Sequence, residues 1–182
     1  MSLARRTAVA VLGGAGAAML VAGPVMVVRG RKGRAEIRAE LRAQSITFPD
    51  GGPVGDAGRA VLTGPEARRY AQVIEGNLRT ATGGRTYAQV SADLMAAGGA
   101  DEKLAALRRT AFTGQMLRAS LLNAYLAWQV TTLVIGLGAL LTGSGAALAA
   151  TAGWLLAEDG DTRRAGGGVR SSCWGRGAGG SP

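Results

Sequence analysis

Five carboxylates stand where a helical pattern would hold them, Glu66, Glu75, Asp93, Asp101 and Glu102, and in a chain with no histidine they are the side chains left for general acid–base work. Such chemistry needs two of them in environments that drive their protonation apart. Their positions favour a plainer role. Glu66 and Asp101 fall at helix starts, and Glu102 falls in a first turn, where the helix dipole favours a negative charge. The absence of histidine removes the facial triad of non-haem iron, histidine-ligated zinc, haem held by histidine and every Ser-His-Asp or Cys-His arrangement. The single cysteine, Cys173, removes thiolate zinc sites, cysteine-ligated clusters and internal disulfides, and no base stands near it in sequence. No catalytic residue, metal site or cofactor is expected. A run resembling a dinucleotide-binding turn, Ala8 to Gly16, fails because its third glycine would fall at Met19 and no matching strand follows.

The cations carry a clearer signal. Arg29, Arg31, Lys32 and Arg34 follow an apolar stretch at once, a placement that sets membrane orientation and that would meet anionic lipid headgroups at ~1 kcal/mol per cation. The net charge of +9 would also suit nucleic acid, but the charges gather at the edges of apolar stretches without interleaved aromatics or a recognition motif. The bilayer, not nucleic acid, is the expected partner.

Two uncharged stretches would position these residues. Thr7 to Val28 is 22 residues without a charge, long enough for the ~30 Å hydrocarbon core. It has no polar face at helical spacing. Its length, the lack of an A-x-A site and the four cations that follow favour an uncleaved span over a removed signal peptide, and Ala4, Thr7 and Ala8 fit a twin-arginine leader poorly. Ala119 to Ala157 is 39 residues between Arg118 and Glu158. Split at Thr142 to Gly145 it would leave a second piece, Ala146 to Ala157, too short to cross, so one helix is expected, with a span over 130–155 and an interfacial stem before it. Tyr125 and Trp128 would anchor one boundary and Trp154 the other. Small residues at four-residue spacing, Gly14, Ala18 and Ala22 in the first span and Ala139 and Gly143, then Gly145, Ala149 and Gly153, in the second, would let the spans pack closely. Polar residues entering or approaching the second span, Gln115, Asn123, Gln129, Thr131 and Thr132, would bond to the other span or to a second subunit.

Between the spans, residues 29–129 read as helices. Ile37 and Leu41 share one face of a charged continuation of span one, with Arg34, Arg38 and Arg42 on another. Ser45 to Pro49 reads as extended. Thr63 with Glu66 and Thr86 with Gln89 mark two capping boxes, Gly83–Gly84 and Gly98–Gly99 end those helices, and a fourth helix starts at Asp101 and runs on into span two. Tyr70, Ile74 and Leu78, then Tyr87, Val90 and Leu94, then Leu104, Leu107 and Ala111, mark inward faces. Nine cations near the span ends belong to this middle segment (Arg29, Arg31, Lys32, Arg34, Arg38, Arg42, Arg108, Arg109, Arg118) against six in the two tails (Arg5, Arg6, Arg163, Arg164, Arg170, Arg176). This places the middle segment in the cytoplasm and both termini outside.

Gln44 to Pro49, Leu62 to Arg68, Thr82 to Tyr87 and above all Leu121 to Thr132 resemble a group of uncharacterised two-span integral membrane proteins of high-GC Gram-positive bacteria, over roughly residues 7–150. The resemblance implies a multi-pass plasma-membrane protein and brings no activity with it. Some members carry an automatic label of aromatic ring-opening dioxygenase. That chemistry holds iron with two histidines and a carboxylate, which this chain lacks.

The expectation is therefore an all-α chain. A tail (1–6) leads to transmembrane helix 1 (7–28), a small helical cytoplasmic segment (29–129), transmembrane helix 2 (130–155) and a Gly/Arg-rich disordered tail (156–182). It would serve as a non-catalytic binding or structural component, with a homo-oligomer or another membrane protein as partner. The alternatives are an exported protein with a removed leader and a membrane enzyme working through carboxylates alone.

Overall fold

The computed structural model describes residues 3–50 and 55–167, with side chains as far as Glu158. The chain is helical, in the order α1 (Leu3–Ala43), α2 (Gly64–Thr82), α3 (Tyr87–Ala96) and α4 (Glu102–Gly167). Among the described residues the one β pairing is an isolated antiparallel bridge, Thr47 to Ala60. The helix α1 runs through Pro24, and α4 runs through Thr142 to Gly145 without a break. It also continues past Asp161 to Gly167, where the sequence suggests a disordered tail. Cys173 and the remainder of that tail lie outside the described residues.

Two compact units divide the chain, residues 1–28 with 136–182 and residues 29–135. In the first, α1 and α4 run antiparallel and meet through glycine. A Cβ on Gly16 would stand 2.9 Å from the Gly145 carbonyl oxygen, and one on Gly23 would stand 2.6 Å from that of Gly138 and against the Thr142 hydroxyl. All four glycines are buried. Their spacing is seven residues on each helix, the repeat that keeps one seam facing its partner along two long helices.

Of the four-residue stripes, Gly145 and Ala149 lie in this contact, a Cβ on Gly16 standing 2.9 Å from the Ala149 nitrogen as well, and the rest do not. Gly14, Ala18, Ala22, Ala139 and Gly143 are exposed, and a Cβ on Gly14 or Gly143 would meet nothing within 4 Å. A four-residue stripe suits a short steep crossing, whereas a long seam selects the seven-residue set. At its open end Arg5 Nη2 donates to the Leu155 carbonyl (2.9 Å) and to Glu158 Oε2 (3.0 Å). Large apolar side chains point outward, Val11, Val21, Val28 and Leu140 among them, each more than 60% exposed.

The second unit packs α2 and the non-helical residues 45–50 and 55–62 against the polar half of α1 and the first half of α4. Its core is Leu41, Phe48, Val61, Ala67, Ala71 and Leu121. α1 ends at Ala43, with Ser45 in the left-handed region (φ 50°). Phe48 N–H then donates to the Arg59 carbonyl (2.9 Å) and Val61 N–H to that of Ile46 (2.9 Å), which pairs residues 46–48 with 59–61. The Phe48 ring meets Tyr70 edge-on at 5.3 Å.

Both expected capping boxes are formed, Thr63 with Glu66 and Thr86 with Gln89. Gly83 caps α2 in the left-handed conformation. Asp101 Oδ1 accepts from the Lys103 and Leu104 N–H groups at the head of α4. Val90 and Leu94 of α3 are buried, as is Ala111, whereas Tyr87 stays partly exposed and its ring meets that of Phe112 at a tilt, 5.8 Å between centroids.

Candidate functional site

The second unit gathers arginine and aromatic rings at one level of α4. Tyr125 and Trp128 are three residues apart and so share a face of that helix. Arg34 and Arg38, four apart on α1, both lie over the Trp128 indole, with guanidinium carbons 5.1 and 5.9 Å from a ring centroid. Arg68 of α2 lies 5.1 Å over Tyr125 and donates from Nη1 to its hydroxyl (2.9 Å), which also accepts from Gln129 Nε2 (2.9 Å). Arg34 Nη2 donates to the Thr132 hydroxyl at 2.7 Å.

α2 is locked to this face by its first residue. A Cβ on Gly64 would collide with the Trp128 Cβ and stand 2.6 Å from its Cγ. Gly64 is thereby the contact that lets the start of α2 reach the indole. Pro65 suits the first turn, because its missing N–H would have had no partner there.

The same unit holds a charge clasp that the sequence patterns do not reveal. Asp56 is 7% exposed. It accepts from Arg59 Nη1 (3.0 Å) and from Arg69 Nε and Nη2 (2.9 and 3.3 Å). Arg59 also reaches Glu66 Oε1 at 3.2 Å. Burial raises the Glu66 pKa, but hydrogen bonds from the Leu62 N–H and from Thr63, together with the Arg59 charge, outweigh it and hold the carboxyl below its ordinary range.

The other carboxylates also have structural partners. Glu75 pairs with Arg118 (3.0 Å) and Arg79 (3.8 Å), Asp93 pairs with Arg85 (3.1 Å), Asp101 caps α4 and Glu102 lies exposed in its first turn. Glu66 and Glu75 sit on α2, and Asp93 on α3, each facing an arginine. No two of the five share a hydrogen bond, as a coupled pair of carboxyls in acid–base work would.

The four cations singled out in the sequence separate. Arg29 and Arg31 are exposed, Lys32 is exposed and 4.0 Å from Glu36, and Arg34 turns inward onto Trp128. Arg38 and Arg68 belong with Arg34 but were not among them. The i, i+4 spacing of Arg34 and Arg38 was visible in the sequence, whereas Arg68 reaches the site through tertiary packing alone. Trp154, expected at the far boundary, is 64% exposed.

Of the polar residues expected to bridge helices, Thr132 accepts from Arg34 but also donates to the carbonyl of Trp128 in its own helix, and Thr131 bonds the same carbonyl. Asn123 lines an open groove with Glu36, Glu40 and Ala127. Gln115 is exposed.

In comparison with known proteins, the chain matches no family model, no curated protein and no solved structure. Its two long helices, α1 and α4, are each long and apolar enough to cross a membrane.

Proposed function

We propose that the chain is a multi-pass integral protein of the plasma membrane, in which α1 and α4 form a two-span hairpin and residues 29–135 a helical cytoplasmic module. Both termini lie outside. It acts as a non-catalytic binding or structural component, in line with its resemblance to two-span proteins of high-GC Gram-positive bacteria.

The observation that carries this reading is burial. The most apolar 18-residue windows of α1 and α4 are each only 11% buried, although the two helices already pack against each other. A core helix of a water-soluble protein hides such a window, because each exposed apolar side chain forfeits about 1.5–3 kcal/mol. In hydrocarbon that loss disappears, and close glycine packing becomes the means of association. Helices also satisfy their backbone groups internally, as lipid requires. A removed leader would strip α4 of its glycine partners Gly16 and Gly23, which favours retention of the first span. The carboxylates' engagement with caps and arginines favours a binding role over a carboxylate enzyme.

The test is extraction of membranes with alkaline carbonate. The full-length chain is expected to stay in the pellet and to need detergent for release, and release into the supernatant refutes the reading. Labelling of Cys173 by an impermeant thiol reagent in intact cells tests orientation. Reaction supports an external C-terminus, and protection of an intact tail reverses it.

A further inference from the structure

Arg34 and Arg38 share one indole yet share no counter-charge. Cation–π contact with Trp128 holds a guanidinium in place but leaves its charge whole. Two cations four residues apart on one helix face repel each other, and a carboxylate is their usual companion.

Among the described residues neither Arg34 nor Arg38 has a carboxylate oxygen within 4.0 Å, and the acids nearest in sequence are engaged elsewhere. Glu36 faces Lys32, Glu40 accepts from Gln44, and Glu66 is held by Arg59 and its capping box. Arg34 spends one nitrogen on Thr132, while its enclosed Nε has no protein acceptor. Arg68, stacked on Tyr125 one turn along, adds a third cation whose acceptor among the described residues is a neutral hydroxyl.

We propose that Arg34 and Arg38, held on Trp128 with Arg68 as the adjoining cation, bind a single phosphate group. The planar guanidinium fork matches two phosphate oxygens, and stacking on a ring fixes the fork before the ligand arrives. The phosphate belongs either to the headgroup of an anionic membrane lipid or to a soluble phosphate ester. The lipid source rests on the membrane reading, since Trp128 then stands at the edge of the span over 130–155, and the soluble source does not. The exposed Arg29 and Arg31 lack such a ring and attract a surface diffusely.

The test uses the full-length chain with Trp154→Phe and Trp174→Phe, which leaves Trp128 as the sole tryptophan and its emission as the readout. One arm places it in phosphatidylcholine nanodiscs with rising phosphatidylglycerol, and the other titrates inorganic phosphate in zwitterionic detergent against chloride of equal ionic strength. A saturable change is expected, weakened at least about tenfold in Arg34→Gln/Arg38→Gln and kept in Arg29→Gln/Arg31→Gln, which removes the same charge. Response in the lipid arm alone assigns the headgroup. Response in the phosphate arm alone assigns a soluble ester, and response in both assigns the phosphate group whatever carries it.

A response that never saturates, is absent from both arms, or falls equally in the two glutamine pairs overturns the proposal. Should the Arg34→Gln/Arg38→Gln chain fail to fold, Arg34→Lys/Arg38→Lys decides. It keeps the charge and loses the fork, so unchanged binding there also overturns the site. The phosphate arm contains no bilayer and carbonate extraction involves no site, so each reading can fail without the other.

Discussion

Gly23 of α1 and Gly138 of α4 approach so closely that a Cβ built on either would stand 2.6–2.7 Å from the other's carbonyl oxygen. Backbone occupies the space, so no side-chain rotation relieves the clash. Gly23→Val is therefore expected to force α1 and α4 apart and to destabilise the hairpin by at least about 1–3 kcal/mol. Gly14→Ala and Gly143→Ala, which meet open space, are expected to leave it unchanged. Thermal unfolding of the purified full-length chain in detergent, followed by circular dichroism, compares the three. Equal stability of all three would remove the glycine seam.

Gly64 makes a second such contact, here between the start of α2 and the Trp128 side chain, whose Cβ and Cγ are fixed close to the α4 backbone. Gly64→Ala is expected to push α2 off the indole at a cost of about 1–3 kcal/mol. It should also shift Trp128 emission in the Trp154→Phe, Trp174→Phe background. Gly76→Ala, elsewhere on α2 with nothing within 4 Å, serves as the control and is expected to be silent.

How far the sequence carried depended on the range of the interactions. Caps are local: Thr63 with Glu66, Thr86 with Gln89 and Asp101 act across three residues, and all were readable as spacing. The two long apolar helices were readable as uncharged runs. The contact face was not, because glycine and alanine are abundant in both helices and several stripes fit each of them. On α4 the stripe through Gly145 and Ala149 does reach the contact, but the choice of Gly16 and Gly23 over Gly14, Ala18 and Ala22 on α1 is made by the partner helix. Likewise Asp56 looked like one more turn residue, and only tertiary packing brings it to Arg69, 13 residues away.

That clasp yields a prediction of its own. Asp56 is nearly enclosed while Arg59 and Arg69 are about half exposed, so the two pairs are partly screened. Removing the carboxylate charge still leaves two arginines facing a buried neutral group, and Asp56→Asn is expected to cost about 1–3 kcal/mol. Arg59→Gln should cost less, because Arg69 continues to hold Asp56 with two hydrogen bonds. Urea or thermal unfolding of the three chains in the same detergent measures the order, and a larger loss for Arg59→Gln would contradict it.

Glu66 adds a pH dependence whose sign is fixed. Its pKa in the folded chain lies below the ordinary 4.5, so folding favours the ionised form. The stability it contributes is fully present above the unfolded value and is lost as pH falls through the folded one. Acidification below about pH 4.5 is therefore expected to weaken the start of α2, where Glu66 accepts from the Leu62 and Thr63 N–H groups at 3.0 and 2.9 Å. Glu66→Gln keeps the reach of the capping box but cannot ionise, so it should be less stable than the parent at neutral pH and nearly equal to it in acid. Unfolding curves of both chains between pH 7 and pH 3 would show the gap close (~4 pH units). A gap that stays constant across that range would mean that the Glu66 charge contributes nothing to folding.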